Sequence, residues 1–189
     1  DEPDSIPVLI STTPTTGTVG GLARSGGTYL QNGVDTAGIT DIGSEAGIAA
    51  MERLRITQAV GQSTPDLIIM DNIRYAGLVG FLTTQKRFKG SDEYAQLGFK
   101  TIELGDCIVG FENLTVMGGE NTIVAQRMYG INTKNMFVKR LKTPEADGWG
   151  KEFERIGKSL NKAVFYRWFG ALTTNNPRAH FVATGVATT

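Results

Sequence analysis

Branched and aromatic residues are concentrated in the last part of the chain in a pattern typical of strands. From Ala163 to Val186, two such runs surround a polar connector that contains Asn175, Asn176 and Pro177. Branched and aromatic side chains suit the pleated, half-buried surface of a sheet, whereas Asn and Pro favour turns. The connector is longer than a tight hairpin requires. We therefore predict two strands joined by a longer loop or by a corner between strands.

A different periodicity predicts two helices in the first half of the chain. Ser44 can cap a helix from Glu45 to about Val60, and Asp71 can cap a second helix over residues 72–85, because short polar side chains accept hydrogen bonds from the first free amides of a helix. The continuous apolar run at residues 67–70 predicts a strand buried on both faces. The second helix places four apolar residues on one face, namely Tyr75, Leu78, Val79 and Leu82.

Further strands are predicted where short apolar runs stand between turn signals. Gly105 and Asp106 separate two of these runs and suit the two-residue turn of a hairpin. The polar stretch 142–160 predicts a loop and, at most, one helical turn. The predicted strands cover residues 7–10, 99–104, 107–111, 122–125, 128–131 and 136–141.

The first 43 residues are rich in Gly, Thr, Ser and Pro. The whole chain has 24 glycines in 189 residues, well above the average of ~7%, and in a β-containing protein such glycines mark turns and bulges. Little in the opening segment supplies an apolar core that could offset the entropy of ordering it. We therefore predict an extended arm or loop over residues 1–43, either mobile or ordered against a neighbouring molecule.

Charge and the scarcity of metal-binding residues exclude several classes of function. Lys plus Arg equals Asp plus Glu at 19 each, so no overall field attracts nucleic acid, and a phosphate-binding surface requires local asymmetry. Cys107 and His180 are the only residues of their kinds, which excludes a disulfide within the chain and multi-cysteine or histidine-rich zinc sites. We predict no cofactor and no metal. No apolar run reaches the ~18 residues of a membrane span, and we expect no membrane partner.

No catalytic motif is complete. Gly21 and Gly26 have the spacing of a phosphate-binding loop, but Gly27 stands where the phosphate-contacting lysine is needed. Segment 61–65 ends in proline and so breaks the Gly-x-Ser-x-Gly elbow of serine hydrolases. His180 lies within a predicted strand, where a buried structural histidine is favoured over a general base. The chain is therefore predicted not to be an enzyme.

Three short motifs occur in the order in which a known family has them. The first is Gly20-Gly-Leu-Ala-Arg24, and the second is Asn132-Thr-Lys134 followed by an alternating strand. The third is the strand Phe165-Tyr-Arg-Trp-Phe-Gly-Ala-Leu172 followed by Asn175-Asn-Pro-Arg178. Together they resemble the C-terminal two-thirds of tailed-bacteriophage major capsid proteins. The family's N-terminal arm region is missing, so we expect a matured product or a truncated chain.

The resemblance implies an α+β chain with the mixed α/β major-capsid fold of tailed phages. That fold has a long central helix, a peripheral domain with a sheet, and an axial domain. Residues 44–65 and 136–189 would form the peripheral domain, which includes the central helix. Residues 66–135 would form the axial domain, and residues 1–43 the extended arm or loop.

The resemblance also implies a function by assembly. The chain would be a structural subunit of a viral icosahedral head shell that self-assembles in the host cytoplasm, as hexamers and pentamers, and encloses DNA in the virion. Implied partners are copies of the chain, portal or scaffold proteins, and packaged double-stranded DNA contacted without sequence readout. Arg and Trp are enriched in interface cores. By residue type and motif position, the predicted subunit contacts are Arg167, Trp168, Asn175, Asn176 and Arg178.

Three alternatives stay open. One is the shell protein of a bacterial nanocompartment, an encapsulin-like particle with the same fold that encloses enzymes instead of DNA. Another is a small soluble enzyme with an unrecognised carboxylate site assembled from distant residues. The third is a β-rich binding module on a phage tail or cell surface. The basic clusters at residues 86–89 and 139–142 are interpreted either as solvated surface or as contacts to acidic surfaces or to DNA phosphates.

Overall fold

The computed structural model describes residues 6–36, 38–61, 63–85, 89–90, 102–112, 126–140, 149–155, 162–168 and 170–187. Its helices are α1 (Ile6–Leu9), α2 (Glu45–Thr57) and α3 (Asn72–Gln85). Its strands are β1 (Thr18–Val19), β2 (Leu22–Ala23), β3 (Gly33–Asp35), β4 (Leu67–Asp71), β5 (Lys89–Gly90), β6 (Ile102–Leu104), β7 (Cys107–Glu112), β8 (Arg127–Ile131), β9 (Met136–Arg140), β10 (Trp149–Arg155), β11 (Lys162–Trp168), β12 (Gly170–Thr174) and β13 (Phe181–Thr184).

A mixed sheet forms the centre of the described part of the chain. Its strand order is β3-β13-β8-β4-β7-β6-β5. β4 runs parallel to β7, and β13 runs parallel to β3, whereas the other neighbouring pairs are antiparallel. The apolar strands β4 and β8 lie in the middle, as expected of strands that are covered on both faces. The α+β class expected from the sequence is confirmed.

Two apolar clusters cover the two faces of this sheet. In β4, Ile68 and Met70 belong to the first cluster, and Leu67 and Ile69 contact the second. Successive strand residues point to opposite faces, so a continuous apolar run contributes to both clusters. The first cluster draws on the two longer helices through Met51, Tyr75, Leu78 and Leu82. The second draws on the N-terminal segment through Leu9, Ile10, Val19 and Leu30.

Both helix starts expected from the sequence are confirmed. Ser44 Oγ accepts a hydrogen bond from the Gly47 amide at 3.1 Å. Asp71 Oδ1 accepts from the amides of Ile73 and Arg74, each at 3.0 Å. Such caps satisfy amides that have no partner within the helix. α2 ends at Thr57, three residues before the predicted end at Val60.

The β6–β7 hairpin also follows the prediction. Leu104 pairs with Cys107 across Gly105 and Asp106, and Gly105 has a φ of 65°. A positive φ at the first central residue is that of a type II′ turn, whose backbone twist matches that of the strands it joins. Glycine adopts this conformation freely because it has no Cβ.

Other segments differ from the sequence prediction. Residues 7–10 were predicted as a strand, but they form most of α1 and the bend after it, where Leu9 and Ile10 enter the second cluster. Residues 149–155 were predicted as a loop, but they form β10, which pairs antiparallel with β11, the next strand along the chain. The run 163–172 is divided between β11 and β12, which belong to different sheets. The strand predicted at 122–125 lies outside the described residues.

The described residues of the N-terminal segment fold onto the chain's own sheet. The assignment of residues 1–43 to an extended arm or loop stays a prediction. Arg24 is 1% exposed. Its guanidinium donates hydrogen bonds of 2.6–3.3 Å, and the acceptors are the carbonyls of Val8, Leu9 and Leu30 and Oδ1 of Asn32. A buried cation therefore provides ordering contacts that the composition of the segment does not reveal.

The division into peripheral and axial domains stays a prediction. β13, from the predicted peripheral domain, pairs with β8, from the predicted axial domain. β3, from the predicted arm, pairs with β13. One sheet thus contains strands from all three predicted regions.

Candidate contact surface

β9 and β12 form a two-stranded ribbon outside the main sheet. They pair antiparallel along their whole length. Met136 and Leu172 pack against the second apolar cluster and anchor the ribbon. Phe137 and Val138 are 43% and 59% exposed. Because neighbours in a strand point to opposite faces, the ribbon presents an apolar side chain on each face.

This ribbon has few contacts to stabilise it within the described residues. β9 pairs there only with β12, and an isolated two-stranded ribbon is marginally stable in water. A single exposed apolar residue is ordinary, but adjacent ones on an edge strand favour contact with a partner. Lys139 and Arg140 follow and are exposed, and charges of this kind limit unspecific edge-to-edge pairing.

The ribbon joins the main sheet at a corner built around His180, which is fully buried. The Asn132 amide donates to His180 Nδ1 at 3.1 Å, and Nε2 lies 2.8 Å from Thr174 Oγ1. Thr174 Oγ1 in turn donates to the Asn135 carbonyl at 2.9 Å. Since Nδ1 accepts and the threonine hydroxyl proton is already used, Nε2 carries the proton and the imidazole is neutral. His180 therefore has a structural role, as the sequence predicted.

Burial lowers the pKa of His180 to about 4, and the charge of Asp66 acts weakly in the opposite direction. Desolvation disfavours the imidazolium because its charge loses contact with water. A proton on Nδ1 would also face the Asn132 N–H, which is itself a donor. The corner is therefore stable only with a neutral imidazole.

Three of the five predicted contact residues meet at this corner. Asn175 and Arg178 are exposed, and Asn176 is half-buried. The Asn175 amide donates to the Asn135 carbonyl at 3.1 Å, and the Asn176 amide donates to Thr174 Oγ1 at 3.2 Å. The backbone thus builds the corner, while the exposed side chains of Asn175 and Arg178 are available to a partner.

The other two predicted contact residues lie elsewhere. Arg167 and Trp168 end β11, which pairs with β10 in a second two-stranded ribbon. Within the described residues, no third strand joins that ribbon. The five residues therefore fall into two groups, and their role as subunit contacts stays a prediction.

The N-terminal segment extends the surface around the corner. The turn Thr28–Leu30 lies against the turn Pro177–Ala179, and Tyr29 is 63% exposed. Arg24 Nη1 donates to the Leu30 carbonyl at 3.3 Å and holds the first turn in place. We use the name contact surface for Tyr29, Phe137, Val138, Asn175 and Arg178.

Carboxylates near the sheet have structural partners. Asp71 caps α3 with Oδ1 and accepts from the Gln126 amide with Oδ2 at 3.0 Å. Asp66 accepts from the amide and the hydroxyl of Thr133 at 2.7 and 2.5 Å. A carboxylate whose oxygens hold the backbone in this way is poorly placed to transfer protons to a substrate.

The ion pairs of Arg55 and the thiol of Cys107 are likewise poorly placed for catalysis. Arg55 contacts Glu52 at 2.6 Å and Asp106 at 2.8 Å, and its hydrogen bond lowers the pKa of Asp106. Burial raises the pKa of Cys107 to about 12, so the thiol is protonated and unreactive at neutral pH. Among the described residues, no group of three or more His, Cys, Asp or Glu is placed to hold a metal ion.

Sequence reasoning missed Phe137 and Val138 as candidate contact residues and predicted only an alternating strand. Their adjacency shows only that they point to opposite faces of the strand, and the exposure of both faces was not predictable from it. Tyr29 carries no comparable local signal. Its exposure depends on the position of its turn against Pro177–Ala179.

Comparison with known proteins bears on the fold. Neither a protein-family model nor a curated protein matches the sequence, but solved structures do. One is the crystal structure of the "putative capsid protein of prophage (E.coli CFT073)", with a TM-score of 0.51 and 15% identity over 78% of this chain and 49% of that chain. Another is the holo-SrpI encapsulin complex from Synechococcus elongatus PCC 7942, with a TM-score of 0.49 and 11% identity over 73% and 49%.

The match to the prophage protein shows that this chain has a capsid-type fold. The fold implied by the three sequence motifs is thereby confirmed. The chain spans about half the length of each of the two proteins, 49% in both cases. Among the described residues, no helix is long and apolar enough to cross a membrane.

Proposed function

We propose that the chain is a structural subunit that assembles with copies of itself into a closed shell. The capsid-type fold carries this proposal. The contact surface supports it, because Phe137 and Val138 stay exposed on a ribbon that is anchored at one end. Such a ribbon gains stability when a neighbouring molecule covers it.

Shell assembly requires contacts between different surfaces of neighbouring copies, since such head-to-tail contacts close into rings. Among the described strands, only β12 pairs with β9, and the backbone groups on the other edge of β9 would pair with a neighbour's strand. Each contact can be weak, because many contacts act together in a closed particle. A small contact surface is therefore compatible with a stable shell.

In its finer form, the proposal is the icosahedral head of a tailed bacteriophage, built from hexamers and pentamers in the host cytoplasm and present in the virion. α2 would be the central helix of a peripheral domain made of residues 44–65 and 136–189, and residues 66–135 would form the axial domain. The subunit contacts would include Arg167, Trp168, Asn175, Asn176 and Arg178. Portal or scaffold proteins would be further partners.

Packaged double-stranded DNA would contact the shell through phosphates alone. Lys139 and Arg140 are exposed next to Val138, and phosphate contacts of this kind carry no sequence information. The other basic cluster, at residues 86–89, lies largely outside the described residues. The chain would have no enzymatic activity, in keeping with the structural roles of Asp66, Asp71 and His180.

Electron microscopy of the purified chain, together with its mass in solution, tests the proposal. Rings or closed particles are expected. DNA inside particles recovered from cells would support a phage head, whereas enclosed protein would support a nanocompartment shell. A monomer at the highest soluble concentration would contradict assembly, and catalytic activity in that monomer would favour the enzyme alternative.

A further inference from the structure

Assembly through unlike surfaces requires a second surface that receives the β9–β12 ribbon of a neighbouring copy. The exposed charges of β9, Lys139 and Arg140, are both positive, and they follow the exposed apolar residues Phe137 and Val138. Two ribbons placed against each other would bring like charges together, which is costly at an interface. The receiving surface should therefore be apolar and acidic, and it should lie elsewhere on the chain.

The outer side of α2 has this composition. Four of its residues are spaced so that they lie along one side of the helix, namely Glu45, Ala49, Glu52 and Ile56. Glu45 and Ala49 are exposed, Glu52 is half-buried, and Ile56 is 57% exposed. The helix packs on the sheet through other residues such as Met51. We name these four outward residues the helix face.

Negative charge lies along one flank of the helix face. The buried Arg55 contacts Glu52 at 2.6 Å and Asp106 at 2.8 Å, so one guanidinium is shared by two carboxylates. The side chain of Asp106 is 71% exposed, and Glu45 adds an exposed carboxylate at the start of the helix. Arg53 is exposed too, but it lies on the opposite side of the helix face from Glu52. The acidic flank therefore complements the positive charge of β9.

Other exposed apolar residues have less acidic surroundings. Three of them belong to the N-terminal segment, namely Val8, Leu22 and Tyr29. Asp35 is the only carboxylate of residues 6–36. Ile73 follows Asp71, whose carboxylate is fully buried and caps α3. The helix face is therefore the better complement to the ribbon.

We propose that the β9–β12 ribbon of one copy docks on the helix face of a neighbouring copy. An apolar side chain of β9 would cover Ile56, and a cation of β9 would lie near Glu45 or Glu52. The contact uses a face of the ribbon and leaves the outer edge of β9 free for strand pairing. This inference rests on the proposed shell function, and it identifies the surface that each subunit offers to the ribbon of its neighbour.

Cross-linking of cysteine variants tests the contact directly. Equal amounts of Val138→Cys and Ile56→Cys proteins are mixed under assembly conditions and treated with a short bismaleimide. The native Cys107 is 1% exposed, so its thiol should not react. We expect cross-linked mixed pairs, whereas Val138→Cys mixed with Ile73→Cys should give none above the background of the unmixed proteins.

Phe137→Cys is tested in parallel with Val138→Cys. The two residues point to opposite faces of the ribbon, so the variant on the docked face should cross-link to Ile56→Cys in the higher yield.

Substitutions on α2 measure what the helix face contributes to assembly. Ile56→Ser should raise the protein concentration needed for particles by at least about tenfold, because it removes an apolar side chain from the contact. Glu45→Gln should raise it by about twofold to fivefold, whereas Arg53→Gln, the matched change on the other flank, should leave it unchanged or lower it. If circular dichroism shows that Ile56→Ser is unfolded, Ala49→Gln, which places a larger polar side chain on the helix face, replaces it.

The outcomes separate this inference from the proposed function. A parent chain that stays a monomer would contradict both. The helix face alone would be excluded if the parent chain and Ile56→Ser form particles at the same concentration while the double variant Phe137→Ser and Val138→Ser forms none. Cross-links between two Val138→Cys copies in place of mixed pairs would overturn the inference by showing that ribbons contact each other.

Discussion

The main sheet and the β9–β12 ribbon differ in how far their apolar side chains are buried. Ile68 and Met128, in the middle of the sheet, are fully buried, whereas Phe137 and Val138 on the ribbon are 43% and 59% exposed. Central sheet strands have a partner on each side, but β9 has one partner within the described residues. The comparison teaches that the chain combines a buried core with a β9–β12 ribbon that leaves apolar side chains exposed, and the assembly proposal uses that exposed surface.

In this comparison the N-terminal segment resembles the main sheet, because its apolar side chains are buried. Its packing on the second cluster through Leu9, Ile10 and Leu30 removes the reason for assigning it to a neighbouring subunit. The assembly proposal therefore depends on the fold and on the β9–β12 ribbon. Substitutions in the core should change folding, and substitutions in the β9–β12 ribbon should change assembly.

The largest effect is expected from Gly130→Ala, in β8 at the centre of the sheet. A Cβ at Gly130 would overlap the ring of Phe181, which is fully buried. We expect the free energy of unfolding to fall by about 4 kcal/mol. Urea denaturation measures it. Gly80→Ala, where a Cβ on α3 meets nothing within 4 Å, should be neutral or stabilising by up to ~1 kcal/mol.

Acid should weaken the corner that joins the ribbon to the sheet. The pKa of His180 is lowered from 6.5 to about 4 in the folded chain. Between these values the unfolded chain binds a proton that the folded chain does not, so stability is present above pH 6.5 and is lost as pH falls towards 4. The full loss is about 3 kcal/mol. Urea denaturation across this pH range measures it.

His180→Gln is the matched control for this pH dependence. Its amide can accept from Asn132 and donate to Thr174, as the neutral imidazole does, but it does not titrate. The variant should lose about 3 kcal/mol less than the parent chain over the same pH range. Identical pH profiles for the two proteins would show that carboxylates, and not His180, cause the acid sensitivity.

Arg24→Met should loosen the N-terminal segment while the sheet stays folded. The change leaves the carbonyls of Val8, Leu9 and Leu30 without their charged donor, at a net loss of about 2 kcal/mol. Hydrogen exchange should accelerate at residues 8–32 and stay slow in β4. The exposed residue Arg53 offers a control, since Arg53→Met should change stability by less than about 0.5 kcal/mol. Equal acceleration in β4 would mean that segment and sheet unfold together.

Substitutions on the β9–β12 ribbon should have the smallest effect on folding and the greatest effect on assembly. Phe137→Ser combined with Val138→Ser should change the free energy of unfolding by less than about 1 kcal/mol, because both residues are already exposed, at 43% and 59%. Particles or rings should nevertheless be lost in electron micrographs. Ile73→Ser, at a residue of α3 that is 52% exposed, should assemble normally. Normal assembly of the double variant would exclude this ribbon as a contact.

Elements with local signals were predictable from the sequence. Ser44 and Asp71 mark the starts of the two longer helices in the sequence, because a cap binds amides only two or three residues away. Gly105 marks the β6–β7 hairpin in the sequence, because the turn requires a positive φ at one residue. The motifs around Arg24, Asn132 and Asn175 also sufficed to indicate the capsid-type fold.

The candidate site was less predictable, because its parts are distant in sequence. Asn175 and Arg178 were expected at a corner, but nothing local places Tyr29 beside them. The burial of His180 was expected, whereas its partners Asn132 and Thr174 come from two other segments of the chain.

The sequence by itself thus determined the two longer helices, the apolar strand β4, the β6–β7 hairpin and the turn at Asn175–Pro177, all of which carry signals within a few residues. Only the tertiary structure decided that Arg24 orders the N-terminal segment, that residues 149–155 form a strand, and that Phe137 and Val138 stay exposed. The physical reason is that burial, strand pairing and the satisfaction of a buried cation depend on which groups the fold brings together, and no local periodicity encodes that.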